Sequence, residues 1–253
     1  MQTIRKTDVM RLFALALTAL VTVVGGWANV NLELRPVPEA CAARTLAVSL
    51  YAVSDNETSQ SISAMDVILS WDPAVLQLLG TDNSGSYPYG WLFSGFSNDQ
   101  GLDGLNNTWT DGNALYTALA QLSNPPVPAW APPEGLLVVN FKFKILRVGT
   151  PTAVALLPSL GLYSHTVVYD GFTPGLIVTG TLSPVSVLPL ATGDLNCDGV
   201  INFRDINPFV LILSNPSQWQ ATYPGCDFDN GDINCDGSVN FRDINPFVAL
   251  LSE

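Results

Sequence analysis

Two stretches of this chain place oxygen-bearing side chains at the intervals a hard cation needs. The first is Asp194, Asn196, Asp198, Val200, Asn202 and Asp205. The second, 38 residues further on, is Asp232, Asn234, Asp236, Ser238, Asn240 and Asp243. Aligned from Gly193 to Ser214 against Gly231 to Ser252, 17 of 22 positions are identical. Calcium takes roughly six to eight oxygens, and a twelve-residue loop supplies them from positions 1, 3, 5, 7, 9 and 12, with glycine at 6 for the sharp turn. Gly199 and Gly237 hold that sixth position. Position 7 offers its backbone carbonyl, so Val200 serves as well as Ser238, and the Asn at position 9 binds directly or through a water. Position 12 is Asp, where the usual pattern has Glu, so the closing carboxylate reaches from a side chain one methylene shorter. Asp, Asn and Gly also cluster in ordinary turns, but two copies with every ligand position filled argue against that. The spacing calls for two calcium ions.

Helices must carry these loops. After each comes Ile206, Phe209, Val210 and Leu213, or Ile244, Phe247, Val248 and Leu251, spaced i, i+3, i+4, i+7 as one apolar helix face. Each unit is loop then helix, with no long entering helix, and two such small units bury their faces against one another. Asn207 and Asn245 read as N-caps, with Pro208 and Pro246 at the first helical position. Ile201 and Val239, at loop position 8, point away from the ion and pair the loops across a short β-bridge.

The rest of the chain sets the compartment. Net charge is −12 with only 13% charged residues. Residues 193–253 carry nine carboxylates and two arginines, or 2 − 9 = −7. Cation ligation accounts for that acidity, and no basic face offers itself to nucleic acid. Arg5, Lys6 and Arg11 precede an apolar run from Leu12 to Val24, and Gly26-Trp27-Ala28 supplies small residues for cleavage. Residues 1–28 therefore read as a secretory signal. The run is shorter than the roughly 20 residues a spanning helix needs, so the expectation is an extracellular chain with no membrane segment after cleavage. Cys41, Cys197, Cys226 and Cys235 allow three pairings. They lack the CxxC spacing and companion His of a zinc site, and an oxidising compartment favours disulfides. Cys197 with Cys226 is the preferred pair, because it ties the first loop to the segment leading into the second.

Residues 29–182 read as a mostly β sandwich of seven to nine short strands. Val139, Phe141, Phe143 and Ile145 alternate with Asn140, Lys142 and Lys144, and similar alternation runs through 46–53 and 65–71. Residues 183–192, with two prolines, read as a linker to a helical module at 193–253. Trp91, Trp109 and Trp130 fall in loop-like stretches and are candidates for a glycan-stacking platform, set against burial at the ends of the core. His165, the one histidine, stands in a strand with no nucleophile motif around it, so the reading is non-catalytic.

The duplicated loop–helix unit with Asp at position 12 resembles a type I dockerin over residues 193–252. The resemblance implies calcium-dependent docking onto a cohesin-type protein domain, with partner choice read at loop positions 10 and 11. Those positions are Phe203 and Arg204, then Phe241 and Arg242, where dockerins often carry small hydroxyl residues. The run Ile62 to Leu76, containing Ser70-Trp71-Asp72-Pro73-Ala74-Val75-Leu76, and the run Gly135 to Leu146 resemble cohesin domains. Those share their jelly-roll sandwich with several cellulose-binding modules. Together the resemblances imply a secreted scaffold component for extracellular polysaccharide handling, with a polysaccharide-binding adaptor as the alternative and a sandwich-fold glycoside hydrolase behind it.

Overall fold

In a computed structural model that describes residues 28–37, 44–82, 89–96, 103–121, 123 and 125–252, strands fill the first three quarters of the chain and short helices the last. The segment read above as a secretory signal, apart from Ala28, and Cys41 lie outside the described residues. The strands are β1 (Val30–Pro36), β2 (Thr45–Ser54), β3 (Gln60–Trp71), β4 (Leu76–Asp82), β5 (Phe93–Phe96), β6 (Asn113–Leu119) and β7 (Ala129–Ala131). There follow β8 (Leu136–Ile145), β9 (Thr152–Leu157), β10 (Ser159–Leu160), β11 (Ser164–His165), β12 (Val167–Asp170), β13 (Thr179–Ser183) and β14 (Val185–Val187). One sheet has the order β13-β1-β2-β8-β4 and the other β14-β9-β3-β6-β5, with β7 and β12 also paired to β3. The count exceeds the expected seven to nine because several edge pieces are only two to four residues long.

Side-chain alternation builds the sandwich. In β8, Val139, Phe141, Phe143 and Ile145 are buried, while Asn140, Lys142 and Lys144 take the outward phase. Leu46, Val48, Leu50 and Ala52 of β2 and Met65, Val67, Leu69 and Trp71 of β3 join them in one core. Trp71 meets Phe143 edge-on at 5.5 Å between ring centroids, and Tyr116 meets Phe141 at 5.3 Å.

The segment 183–192 does not run wholly free. Its start is β14, paired antiparallel to β9, and the Pro189 carbonyl accepts the Gly149 N–H at 2.8 Å. Beyond it lie α1 (Ile206–Ser214), α2 (Pro216–Thr222) and α3 (Ile244–Leu251). Single 3-10 turns, Phe203–Asp205 and Phe241–Asp243, lead into α1 and α3.

Three local expectations are corrected here. Asn207 and Asn245 are not the caps. Asn202 and Asn240 head each unit in a capping box with Asp205 and Asp243, so the helix begins earlier and each proline falls in its first turn, where a missing N–H forfeits nothing. The four apolar positions do not share one buried face either. Phe209 and Ile212 turn inward, as do Phe247 and Leu250, and the two Phe rings meet at 4.4 Å. Ile206, Val210, Ile244 and Val248 stay exposed, because the apolar arc is wider than the part its neighbours cover. Ile201 and Val239 form no β-bridge among the described residues, and the Ile201 carbonyl is taken by Arg44 instead.

Candidate metal centre and docking faces

The two loops close by the same bonds. Asp205 Oδ1 accepts the N–H groups of Leu195 (2.9 Å) and Asn196 (3.2 Å), and Oδ2 accepts that of Asn202 (2.9 Å). Asp243 does the same for Ile233, Asn234 and Asn240 at 2.9, 3.0 and 2.8 Å. Gly199 and Gly237 turn at φ +84° and +83°, a region that favours glycine. Their N–H groups donate to Asp194 Oδ2 and Asp232 Oδ2, each at 2.9 Å. Cys197 and Cys235, at position 4, also take positive φ. Cys197 is bonded to Cys226 with Cα atoms 5.8 Å apart, and Cys235 is disulfide-bonded too.

A cation fits the first loop on an observation of the loop itself. Asp194 is buried, and its Oδ1 has no hydrogen-bond partner, a state that costs free energy unless an ion satisfies it. Burial pushes the Asp194 carboxyl upward, with the neighbouring charges of Asp205 and Asp198 adding to it against the Gly199 N–H. Burial also raises Asp205, outweighing the N–H groups of Asn202, Leu195 and Asn196. The remaining oxygens are held by bonds within the loop: Asn196 Nδ2 donates to Asp198 Oδ2 (3.2 Å), and Asn202 Nδ2 donates to the Val200 carbonyl (3.2 Å). In the second loop Asn234 Nδ2 reaches Asp236 (3.3 Å), and Asn240 Nδ2 the Ser238 carbonyl (3.0 Å). Among the described residues no three Asp, Glu, His or Cys side chains converge as a ready-made cage. The donor set mixes carboxylate with amide and carbonyl oxygen, which suits a hard cation.

Beside the loops the two repeats present matching outward stripes. Phe203 and Phe241 are 74% and 75% exposed, and Val210 and Val248 57% and 60%, with Ile206 and Ile244 between them. Arg204 and Arg242, the module's two cations, stand next to the exposed rings, and Arg242 lies 3.6 Å from Asp236. The helical spacing places Ile206, Val210, Ile244 and Val248 on the buried face, and the structure leaves them exposed. Trp219, missed by the sequence reading, is fully buried on α2, and its Nε1 donates to the Leu195 carbonyl at 3.1 Å. The cap-like Asn215-Pro216 pair marked that helix.

The three candidate tryptophans do not share one role. Trp91 packs on the core and edge-on to Tyr89 at 4.8 Å, and Trp109 lies against Phe96 at 4.9 Å with its N–H on Asn106. Both cover the end of the core. Trp130 stays 49% exposed beside an equally open Phe172, 5.8 Å away. On the outer side of the second sheet a cleft of about 260 Å³ is lined by Asp66, Tyr163, His165 and Tyr169.

No family model and no curated protein matches this chain. Solved structures that match it include cohesin modules. The sixth cohesin of Acetivibrio cellulolyticus scaffoldin B, in complex with a Cel5 dockerin mutant, is 14% identical, with 65% of this chain and 99% of that one covered and a TM-score of 0.42. A type II cohesin domain from the cellulosome of the same organism is 14% identical, covering 69% and 98%, at 0.42. The cohesin module of a Clostridium perfringens family 33 glycoside hydrolase is 10% identical, covering 64% and 98%, at 0.43. At these identities and TM-scores no residue role, partner or activity is carried from them to this chain.

Proposed function

We propose that this is a secreted, non-catalytic assembly protein whose helical module, loaded with two calcium ions, docks onto a cohesin-type domain. The observation that carries the reading is the pair of outward faces, Phe203-Arg204-Ile206-Val210 and Phe241-Arg242-Ile244-Val248, exposed to nearly equal degrees. Exposed apolar stripes beside cations are the composition of a protein interface. Calcium would satisfy Asp194, hold the carboxylates of each loop together and fix the direction in which α1 and α3 leave. The sandwich would be a cohesin-like receptor for a module of the same kind. Calorimetric titration of the full chain with a cohesin-type domain tests this. Saturable binding in calcium that vanishes with chelator is expected, and binding indifferent to chelator overturns it.

A second reading rests on Trp130 and Phe172, an open aromatic ledge of the kind that stacks on sugar rings. Under it the sandwich holds insoluble glycan while the module attaches it to other proteins. Retention on insoluble polysaccharide that survives Trp130→Ala would remove it.

A further inference from the structure

The sandwich reaches across to the first loop at two peptide units, and among the described residues no such hydrogen bond meets the corresponding units of the second. The Val148 N–H, at the end of β8, donates to the Gly199 carbonyl at 3.0 Å. The Arg44 guanidinium, at the start of β2, donates through Nη2 to the Ile201 carbonyl at 2.9 Å and to the Leu250 carbonyl at 3.1 Å. Gly199 and Ile201 are loop positions 6 and 8. They bracket Val200, whose carbonyl is the position 7 ligand. Arg147 lies over the same turn, with a guanidinium nitrogen 3.2 Å from where a Gly199 Cβ would stand. In the second loop a Cβ on Gly237 would meet nothing within 4 Å.

Resting on the calcium reading, we infer that Arg44, with the Val148 amide, is a positioning residue for the first calcium site. It fixes the peptide planes on either side of the ligand carbonyl, so this loop takes its ion more tightly with Arg44 in place than without it. A loop held by bonds that do not change on loading loses less conformational freedom when the ion binds. The linkage is reciprocal, so calcium in the first loop tightens the seat of the module on the sandwich. Arg44 also neutralises a terminal carbonyl of α3, where a cation is favoured by the helix dipole, so one side chain joins both repeats to the sandwich.

Full-length chains in which one loop is disabled separate the sites. Asp236→Ala leaves the first loop intact and Asp198→Ala leaves the second. Both side chains are exposed, so neither change disturbs packing. Adding Arg44→Ala is expected to weaken calcium binding about tenfold in the first background, the size of effect that loss of a charge-assisted hydrogen bond gives. Binding in the second background should fall much less, since Arg44 meets that repeat only at Leu250, beyond its loop. Arg44→Lys, which keeps a charged donor, should recover part of the loss, and exchange of the Val148 amide should slow when calcium is added to the unmutated chain. Equal weakening in both backgrounds, or none in either, overturns the inference and leaves the calcium reading standing. An unmutated chain that takes up no calcium removes both.

Discussion

Asp194 is buried with one oxygen unmatched, and burial holds both it and Asp205 above the ordinary aspartate value of about 3.9. A raised value gives the calcium-free fold a share of stability that is complete below the ordinary value and is lost as pH rises through the raised one. Calcium requires both groups ionised, so uptake should release protons and weaken as pH falls through the same window. Titrations at successively lower pH should show the midpoint calcium concentration rising, and the apparent heat should change with the ionisation heat of the buffer. A midpoint independent of pH would refute the protonated carboxylates. Asp170 is the opposite case. Burial pulls it upward, but Ser61 Oγ and the N–H groups of Phe172 and Thr173 outweigh that and hold it low. Its contribution to stability is present above the ordinary value and lost as pH falls through the depressed one. Asp170→Ala strands those donors and Gln60 Nε2, and should cost about 2–4 kcal/mol in denaturant unfolding. A loss under about 0.5 kcal/mol would mean that water replaces the carboxylate.

The helices show what duplication does to a surface. Phe203 and Phe241 are equally exposed on faces of the same composition, so under the proposed docking function loss of one face would leave the other able to dock. Phe203→Ala or Phe241→Ala alone should lower affinity for a cohesin-type domain by about twofold, the statistical share of one of two equivalent faces. The double variant should lose more than tenfold, since a buried Phe is worth roughly 1.5–3 kcal/mol. A tenfold loss from one single variant would mean that the faces are not equivalent. The strand phases were legible at this scale because alternation is a property of consecutive residues. Val139 to Ile145 needed only a period of two. The inward side of α1 was not legible, since Ile206 and Phe209 are equally apolar and only the position of α3 decides between them. The capping box escaped for a related reason: Asn202 and Asp205 had already been assigned to the ion, and the same oxygens also cap the turn.

Seating of the module on the sandwich left no trace in the sequence, because its acceptors are backbone carbonyls of Gly199, Ile201 and Leu250. It has a consequence for assembly. The module is held at Arg44 and at Arg147 to Gly149, and with the chain in that seat Phe203, Phe241 and the Arg242 side chain remain open. Docking onto its own sandwich would require the module to leave its seat, whereas docking onto another molecule would not. The strands of the second sheet contain no Lys or Arg and carry Asp66 in the cleft beside Tyr163 and Tyr169. The module's two cations, Arg204 and Arg242, flank its exposed rings. Charge of opposite sign on two different surfaces of one chain favours contact between chains. Because the two surfaces differ, such contact is head-to-tail and need not close. Sedimentation of the full chain should therefore show mass that grows with concentration in calcium and reverts to monomer with chelator. Arg204→Glu combined with Arg242→Glu should give monomer in both conditions. A chain that stays monomeric in calcium while binding a cohesin-type domain from elsewhere would retain the twin faces as docking elements and place their partner on another protein.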